Sequence, residues 1–289
     1  MKKFFALLLA LVMILGLMAG CSKEEEKGPG KNPYNIKTVK EGYLTVITSP
    51  DYAPYEFYAI DEKGNPHLAG FDMALAQYIA DYLGLTLEVI PMDFNGIIGE
   101  MGTGKADLAL AGLSPDPERL EKMDFSDIYY EGKQAFITSK ANAANFTDLA
   151  STNDAKFSIG AQSGTIQMEL AEQFSPNADI VSLVKATDII AEVMSGKLHG
   201  AYVEWDVAVA YQANYPDLVL VCEVPYDAEG NVIGVAKGNE LLMKYVNEAL
   251  HKCVDDGDFA KFLAEALDLA AGDNYQGILD ENGNVPTGE

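Results

Sequence analysis

The sequence predicts an α/β protein built as two lobes, and three observations carry that reading. Strand-like and helix-like segments alternate through residues 38–271. The alternation restarts after about residue 132. Distinctive polar and aromatic groups also fall at the ends of expected strands, where open α/β sheets bind ligands.

Leu44-Thr45-Val46-Ile47-Thr48 is apolar and β-branched, which predicts a strand. Tyr55 to Ile60 and the turn residues Asp61-Glu62-Lys63-Gly64-Asn65 predict a hairpin. Phe71 to Leu83 has apolar residues at helical spacing and stops at Gly84. Leu85 to Ile90 predicts a strand, Asn95 to Gly102 a short helix, and Ala106 to Ala111 another strand. From Lys156-Phe157-Ser158-Ile159-Gly160 the grammar recurs. A helix is expected over Ile166 to Phe174, a strand near Ile180-Val181, a helix over Thr187 to Ser195, and a strand at Gly200 to Val203.

The ends differ from this body. Lys2-Lys3, the apolar run Phe4 to Leu17 and Met18-Ala19-Gly20-Cys21 read as a secretion signal over residues 1–20. Small residues before a cysteine resemble a bacterial lipobox, with Met18 where leucine is usual. Lipidation would make Cys21 the new N-terminus and anchor the protein outside the cytoplasmic membrane, at the cell surface or in the periplasm. The alternative, a plain membrane anchor, calls for about twenty apolar residues, more than this run supplies. Residues 21–38, with Glu24-Glu25-Glu26 and Gly28-Pro29-Gly30, read as a disordered tether, and residues 272–289 as a polar tail without a core role.

The 289 residues carry 20 Lys and Arg against 44 Asp and Glu, a net charge of −24. Removing residues 1–20 deletes two lysines and no acid, which takes the charge to −26. Such a surface repels phosphate backbones and excludes nucleic acid as a partner. Cys222 and Cys253 read as buried free thiols rather than a disulfide. His67, His199 and His251 are scattered, and no Cys/His cluster has the spacing of a metal site. Nothing in the chain calls for a cofactor.

Only one of the basic residues is arginine. Arg119 ends the run Gly112-Leu113-Ser114-Pro115-Asp116-Pro117-Glu118-Arg119, which reads as a turn entering a helix, with Asp116 as cap and Pro117 in the first turn. A guanidinium grips a carboxylate through two parallel hydrogen bonds and stays charged when water is excluded. Arg119 is therefore a candidate ligand contact, the alternative being a surface ion pair with Glu118 or Glu121. Three further segments follow expected strands. They are Thr48-Ser49-Pro50-Asp51-Tyr52-Ala53-Pro54-Tyr55-Glu56-Phe57, Pro91-Met92-Asp93-Phe94-Asn95-Gly96-Ile97-Ile98, and Gly160-Ala161-Gln162-Ser163-Gly164-Thr165. The last opens a helix whose free N–H groups suit an anion.

In this order and spacing, with Gly70-Phe71-Asp72 between the first two, the four segments resemble the polar amino-acid solute-binding proteins of ABC importers. The resemblance covers nearly all of residues 40 to 270, and Pro91 to Gly112 is especially similar to the glutamine-binding member. It implies a type 2 periplasmic-binding-protein fold, two α/β lobes joined by a two-stranded hinge. The first lobe would take residues 39–131 and 224–271, and the second residues 132–223. The chain would cross near Tyr129 to Gly132 and return near Cys222 to Tyr226, with the final helical run packed on the first lobe. It also implies a monomer that takes up an amino acid and delivers it to a cognate permease and ATPase complex.

The same resemblance assigns roles. Arg119 would hold the ligand's α-carboxylate, helped by backbone N–H groups and the hydroxyls of Ser114 and Thr165. The carbonyl of Gly112 and the carboxylate of Glu204 would receive the α-ammonium, Glu204 standing where the family usually has aspartate. Tyr52 and Phe94 would stack around the ligand side chain. Ser49 replaces an aspartate found in binders of basic amino acids. Gln162 and Val203 differ from the lysine and histidine of the glutamine-specific protein, and Ile166 lacks the hydroxyl common at its position. The expected side-chain pocket is thus uncharged, with Ser49 and Gln162 as its polar points and Asp51 nearby. A polar or neutral ligand is favoured.

Other patterns fail on spacing. Gly99 to Ala106 is one residue short of a phosphate-binding loop and lacks its hydroxyl, and Gln162-Ser163-Gly164 misses the nucleophile-elbow pattern. Two rivals remain on the same scaffold. One is a dehydratase-like enzyme using a protonated Glu204 as general acid; the other is a ligand sensor for a membrane receptor. The favoured reading is non-catalytic, with Glu204 ionised against the ligand's ammonium.

Overall fold

The computed structural model describes residues 28–61, 63–227 and 230–271. The expected signal, Cys21 and the 272–289 tail lie outside them. The first sheet begins with β1 (Tyr43–Thr48), buried from Leu44 onward. Beside it, β2 (Asp51–Tyr52), β3 (Glu56–Ile60) and β4 (Pro66–Ala69) form a small antiparallel sheet. The chain then runs through helix α1 (Phe71–Leu83), β5 (Thr86–Pro91), helix α2 (Phe94–Gly102), β6 (Leu108–Ala109) and β7 (Met123–Phe125). β1 pairs in parallel with both β5 and β6.

The second sheet comprises β8 (Gln134–Ser139), β9 (Ser158–Gln162), β10 (Asp179–Leu183), β11 (Gly200–Glu204) and β12 (Leu218–Val224), in the order β10-β9-β11-β8-β12. Its helices are α3 (Ile166–Phe174), α4 (Ala186–Ser195) and α5 (Trp205–Asn214). The chain then returns. β13 (Gly234–Ala236) inserts between β6 and β7 of the first sheet, antiparallel to both, and α6 (Glu240–Asp255) and α7 (Asp258–Ala271) follow. Between the sheets the two crossing segments pair with each other. The Tyr129 N–H donates to the Asn231 carbonyl at 3.0 Å, and the Asn231 N–H to the Tyr130 carbonyl at 2.7 Å.

Helix α1 illustrates how local sequence sets an element. Phe71, Leu75, Ile79 and Leu83 recur every four residues and are all fully buried. Burying a phenylalanine or leucine of this kind contributes about 1.5–3 kcal/mol. At its end Gly84 adopts φ 65°, and the N–H of Leu85 returns to the Ala80 carbonyl at 2.9 Å. α6 packs on α1, whereas α7 packs on both α1 and α5, and the Asn214 Nδ2 donates to the Ala270 carbonyl. Phe259 of α7 meets the rings of Phe71, Tyr129 and Tyr130, so one apolar cluster runs through both lobes. α7 therefore reaches the second lobe as well as the first.

Three expectations change. Residues 28–38 of the expected tether are packed on the first lobe: Ile36 is 2% exposed, and the Tyr34 ring lies 4.2 Å from that of Tyr245. Two apolar side chains and backbone hydrogen bonds from Gly30 and Asn32 to Gly42 and Gly84 suffice to dock it. The helix expected at Arg119 is a single 3₁₀ turn, Arg119–Glu121, although Asp116 Oδ1 does accept from the Glu118 and Arg119 N–H groups. The chain is claimed at once by β7. The strand expected over Ala106 to Ala111 shortens to β6, because the backbone leaves the sheet toward Gly112, whose φ of 55° favours glycine.

Candidate ligand-binding cleft

The two sheets point their parallel strands' carboxyl ends at one cleft. Ser49 and Asp51 follow β1, Phe94 follows β5, Gly112 and Ser114 follow β6, Gln162 and Thr165 end or follow β9, and Glu204 ends β11. All ten residues singled out as ligand contacts line a single cavity: Ser49, Tyr52, Phe94, Gly112, Ser114, Arg119, Gln162, Thr165, Ile166 and Glu204. It encloses about 410 Å³ of atom-free space, part of it open to solvent. The lobes meet across it through Arg119 and Gly164, Asn95 and Ser163, and Tyr52 and Gln167.

At one end, Arg119 is 8% exposed and makes no salt bridge with any described acid. Its guanidinium donates to the Ser114 carbonyl at 3.0 Å and, across the cleft, to the Gly164 carbonyl at 3.1 Å. Phe94 lies beneath it at 5.5 Å. Burial lowers its pKa, opposed by the charges of Asp116 and Glu169. Facing it is the N-terminus of α3. Thr165 does not cap this helix, because its hydroxyl donates to the Gln162 carbonyl at 2.7 Å. A carboxylate here would meet a buried guanidinium and uncapped helix N–H groups together.

At the other end, Glu204 is 2% exposed. Its Oε2 accepts from the Val207 N–H at 2.9 Å and its Oε1 from the Lys133 N–H at 3.4 Å. Burial, and then the neighbouring Asp206, push its pKa up to about 8. Burial thus favours the neutral carboxyl, and a ligand ammonium beside it would favour the ionised form that was expected in the complex. Above it, Asn231 Nδ2 donates to the Gly112 carbonyl at 2.9 Å, and the Tyr55 hydroxyl donates to Asn231 Oδ1 at 3.2 Å. These oxygens crowd the crossing strand. A Cβ at Gly132 would stand 2.9 Å from Asn231 Oδ1, 3.0 Å from the Tyr55 hydroxyl and 3.1 Å from Glu204 Oε1.

The cavity also carries two acids besides Glu204. Glu56 and Asp51 line it. Glu56 is fully buried; no N–H or hydroxyl group donates to its carboxyl, which lies against that of Asp72, and burial, then the charges of Asp72 and Asp51 and the hydrogen bond with the Asp72 carboxyl, raise its pKa well above the ordinary range. Asp72 behind it accepts from the Gly112 N–H at 3.0 Å and the Tyr129 hydroxyl at 2.8 Å, and burial raises it to about 6. The two expected polar points are already engaged: Ser49 Oγ donates to Asp51 Oδ1 at 2.7 Å, and Gln162 Nε2 to Asp51 Oδ2 at 3.3 Å. Sequence reasoning also missed Gln134, Gln167 and Asn231 in the lining. The Gln167 amide donates to Gln134 Oε1 and to the Tyr52 hydroxyl. No local pattern marks Glu56 or these carboxamides as lining residues.

The architecture is that of type 2 periplasmic binding proteins. The arginine-binding extracellular protein ArtP of Bacillus subtilis is 30% identical to this chain over 266 residues, covering 90% of this chain and 96% of its own. A Streptococcus pneumoniae amino acid ABC transporter substrate-binding protein, solved with L-arginine, superposes with a TM-score of 0.74 at 34% identity, covering 78% of this chain and 94% of its own. An ancestral amino acid-binding protein, described as a precursor of cyclohexadienyl dehydratase, superposes with a TM-score of 0.69 at 30% identity, over 78% and 95% of the two chains. Residues 44–267 match the family to which the chain belongs, the bacterial extracellular solute-binding proteins, family 3.

Proposed function

We propose that the protein captures an L-amino acid with a cationic side chain between its two lobes, closing about the paired crossing strands, and delivers it to an ABC permease and ATPase. The observation that carries the ligand class is Glu56, a buried carboxyl lining the cavity that no N–H or hydroxyl group meets, its hydrogen-bond partner being the carboxyl of Asp72. The lining holds three acids, Asp51, Glu56 and Glu204, against the single cation Arg119. A second cationic group on the ligand gives the buried Glu56 carboxyl a partner that a neutral zwitterion does not. In this reading Arg119, Ser114 and Thr165 meet the carboxylate, Gly112 and Glu204 the ammonium, Tyr52 and Phe94 the aliphatic stem, and Glu56 the distal cation. Ile166 adds apolar surface.

A thermal-shift screen against the twenty amino acids and their analogues tests this, because a ligand at 100 times its Kd adds about 2.7 kcal/mol of stability. Arginine, lysine or ornithine should give the largest shift, and Glu56→Gln should reduce it selectively. Strongest stabilisation by a neutral amino acid would overturn the cationic assignment.

A second reading rests on Glu204, whose burial keeps it protonated near neutral pH as a general acid requires. The solved neighbour described as a precursor of cyclohexadienyl dehydratase is itself an amino acid-binding protein, which favours the binder. A cationic ligand ionises Glu204 on binding, and we therefore assign no catalysis. Recovering the bound compound chemically unchanged supports the binder. Cys21 is assigned as the lipid anchor, tested by release of a Cys21→Ser variant from the membrane fraction. With residues 28–38 packed on the first lobe, the six residues from 22 to 27 allow a reach of roughly 20 Å.

A further inference from the structure

Asp51 sits on β2 of the first lobe, yet one of its carboxyl oxygens is engaged entirely from the second. Its Oδ2 accepts from the Ala186 N–H at 2.7 Å and from Gln162 Nε2 at 3.3 Å. Gln162 is itself fixed by a bond from Nε2 to the Val184 carbonyl at 2.9 Å. Oδ1 is held on its own side by the Ser49 hydroxyl at 2.7 Å. Ala186 is the first residue of α4, and the residue preceding it, Lys185, offers that helix no side-chain cap. The first N–H groups of a helix have no intrahelical acceptor, and a carboxylate there also meets the positive end of the helix dipole.

We propose that Asp51 is a closure latch: a positioning residue of the first lobe that caps helix α4 of the second, so that the helix terminus is completed only when the cleft shuts. Ser49 and Gln162 orient the latch rather than read the ligand. Glu56, whose oxygens no N–H or hydroxyl group meets, and Asp51, whose oxygens each have one or more such donors, thereby take separate roles although they line the same cavity. Burial raises the pKa of Asp51 to about 6, opposed by the hydrogen bonds from Ser49 and Ala186 and by the charge of Lys185. The latch acts on closure whatever the ligand's side chain, so its loss should weaken every ligand alike. An aspartate cap replaced by alanine typically costs about 0.5–2 kcal/mol, which corresponds to roughly two- to thirtyfold in Kd.

The test uses the whole secreted chain and its Asp51→Ala and Asp51→Asn variants. Calorimetry against arginine, lysine and glutamine should show the alanine variant weakened by a similar factor for each ligand that binds wild type. The loss should lie in a faster dissociation rate, because the cap forms after the ligand has entered. The asparagine variant keeps an acceptor oxygen and should recover part of the loss; it also carries the test if the alanine variant folds poorly. Amide hydrogen exchange at residues 186–188, measured with and without a saturating amino acid, reads the cap directly, because protection of the Ala186 amide in wild type should rise when the cleft closes. Protection of the Ala186 amide should fall in the alanine variant and be partly restored in the asparagine one. A selective loss for cationic ligands would make Asp51 a reader of the side chain and overturn the latch. Unchanged dissociation together with unchanged exchange at Ala186 would overturn it equally.

Discussion

At one end of the cavity a lone guanidinium rests on two backbone carbonyls. At the other, Glu204, Glu56 and Asp72 gather around tyrosine rings with no cation among them. The first end carries a fixed charge whose ordinary hydrogen bonds leave donors to spare, since a guanidinium has five. The second holds acids that burial pushes toward the neutral form, Asp72 less far than Glu204. The ends therefore differ in when they become charged: the arginine end is charged before a ligand arrives, the acid end when its cation does. A zwitterion has one orientation that satisfies both.

The sharpest way to break this contrast is to remove the fixed charge. Arg119→Ala should cost about 2–5 kcal/mol of binding, a loss of roughly thirtyfold to several thousandfold in Kd, with the fold intact. Arg119→Lys should recover only part, since the point charge returns without the fork. Near-native affinity by calorimetry in the alanine variant would remove Arg119 from the site.

Changing the inducible end should cost less. Glu204→Gln keeps the shape and the acceptor oxygen but cannot ionise, and a hydrogen bond to a charged group is worth about 1.5–3 kcal/mol, or roughly tenfold to 150-fold in Kd. Analogues without an α-amino group should bind poorly to wild type and be affected little by the substitution. Formation of a product by wild type, lost in Glu204→Gln, would turn the reading toward catalysis.

The smallest effect is on stability. Burial is the main influence that pushes Glu204 up to about 8 and Asp51 and Asp72 up to about 6. The folded protein then binds more protons than the unfolded chain above the ordinary carboxyl range, so stability falls as pH rises through these values. Without ligand, the melting temperature should rise by a few degrees between pH 8 and pH 5, and Glu204→Gln should flatten the upper part of that slope. A cationic ligand should reduce the dependence. A ligand-free melting temperature that climbs with pH over this window would contradict the buried, neutral acids.

Sequence carried the fold further than it carried the acid end of the site. Apolar spacing ending at a glycine located α1 without error at either boundary, because one face and one left-handed residue decide it. Arg119 was legible because it is the one arginine in a lysine-rich chain. Glu56 was not, since only the packing of β3 against Asp72 and the cavity leaves its carboxyl without an N–H or hydroxyl donor. Asn231 enters the site from the far side of the second lobe's sequence, a long-range contact no local pattern records. The docking of residues 28–38 escaped notice because two side chains, Tyr34 and Ile36, outweigh a composition that is otherwise polar.

The position of β13 between β6 and β7 also bears on the order in which the molecule assembles. Strands β8 to β12 lie in one uninterrupted stretch of chain, so the sheet they form has all its strands once residue 224 is made. The first sheet, begun at residue 43, lacks a central strand until residues 234–236 arrive, and α1 lacks its covering helices until residue 271. Closing so long a loop is entropically slow. The lobe that emerges first is completed last, and most of the chain must be made before its core can seal.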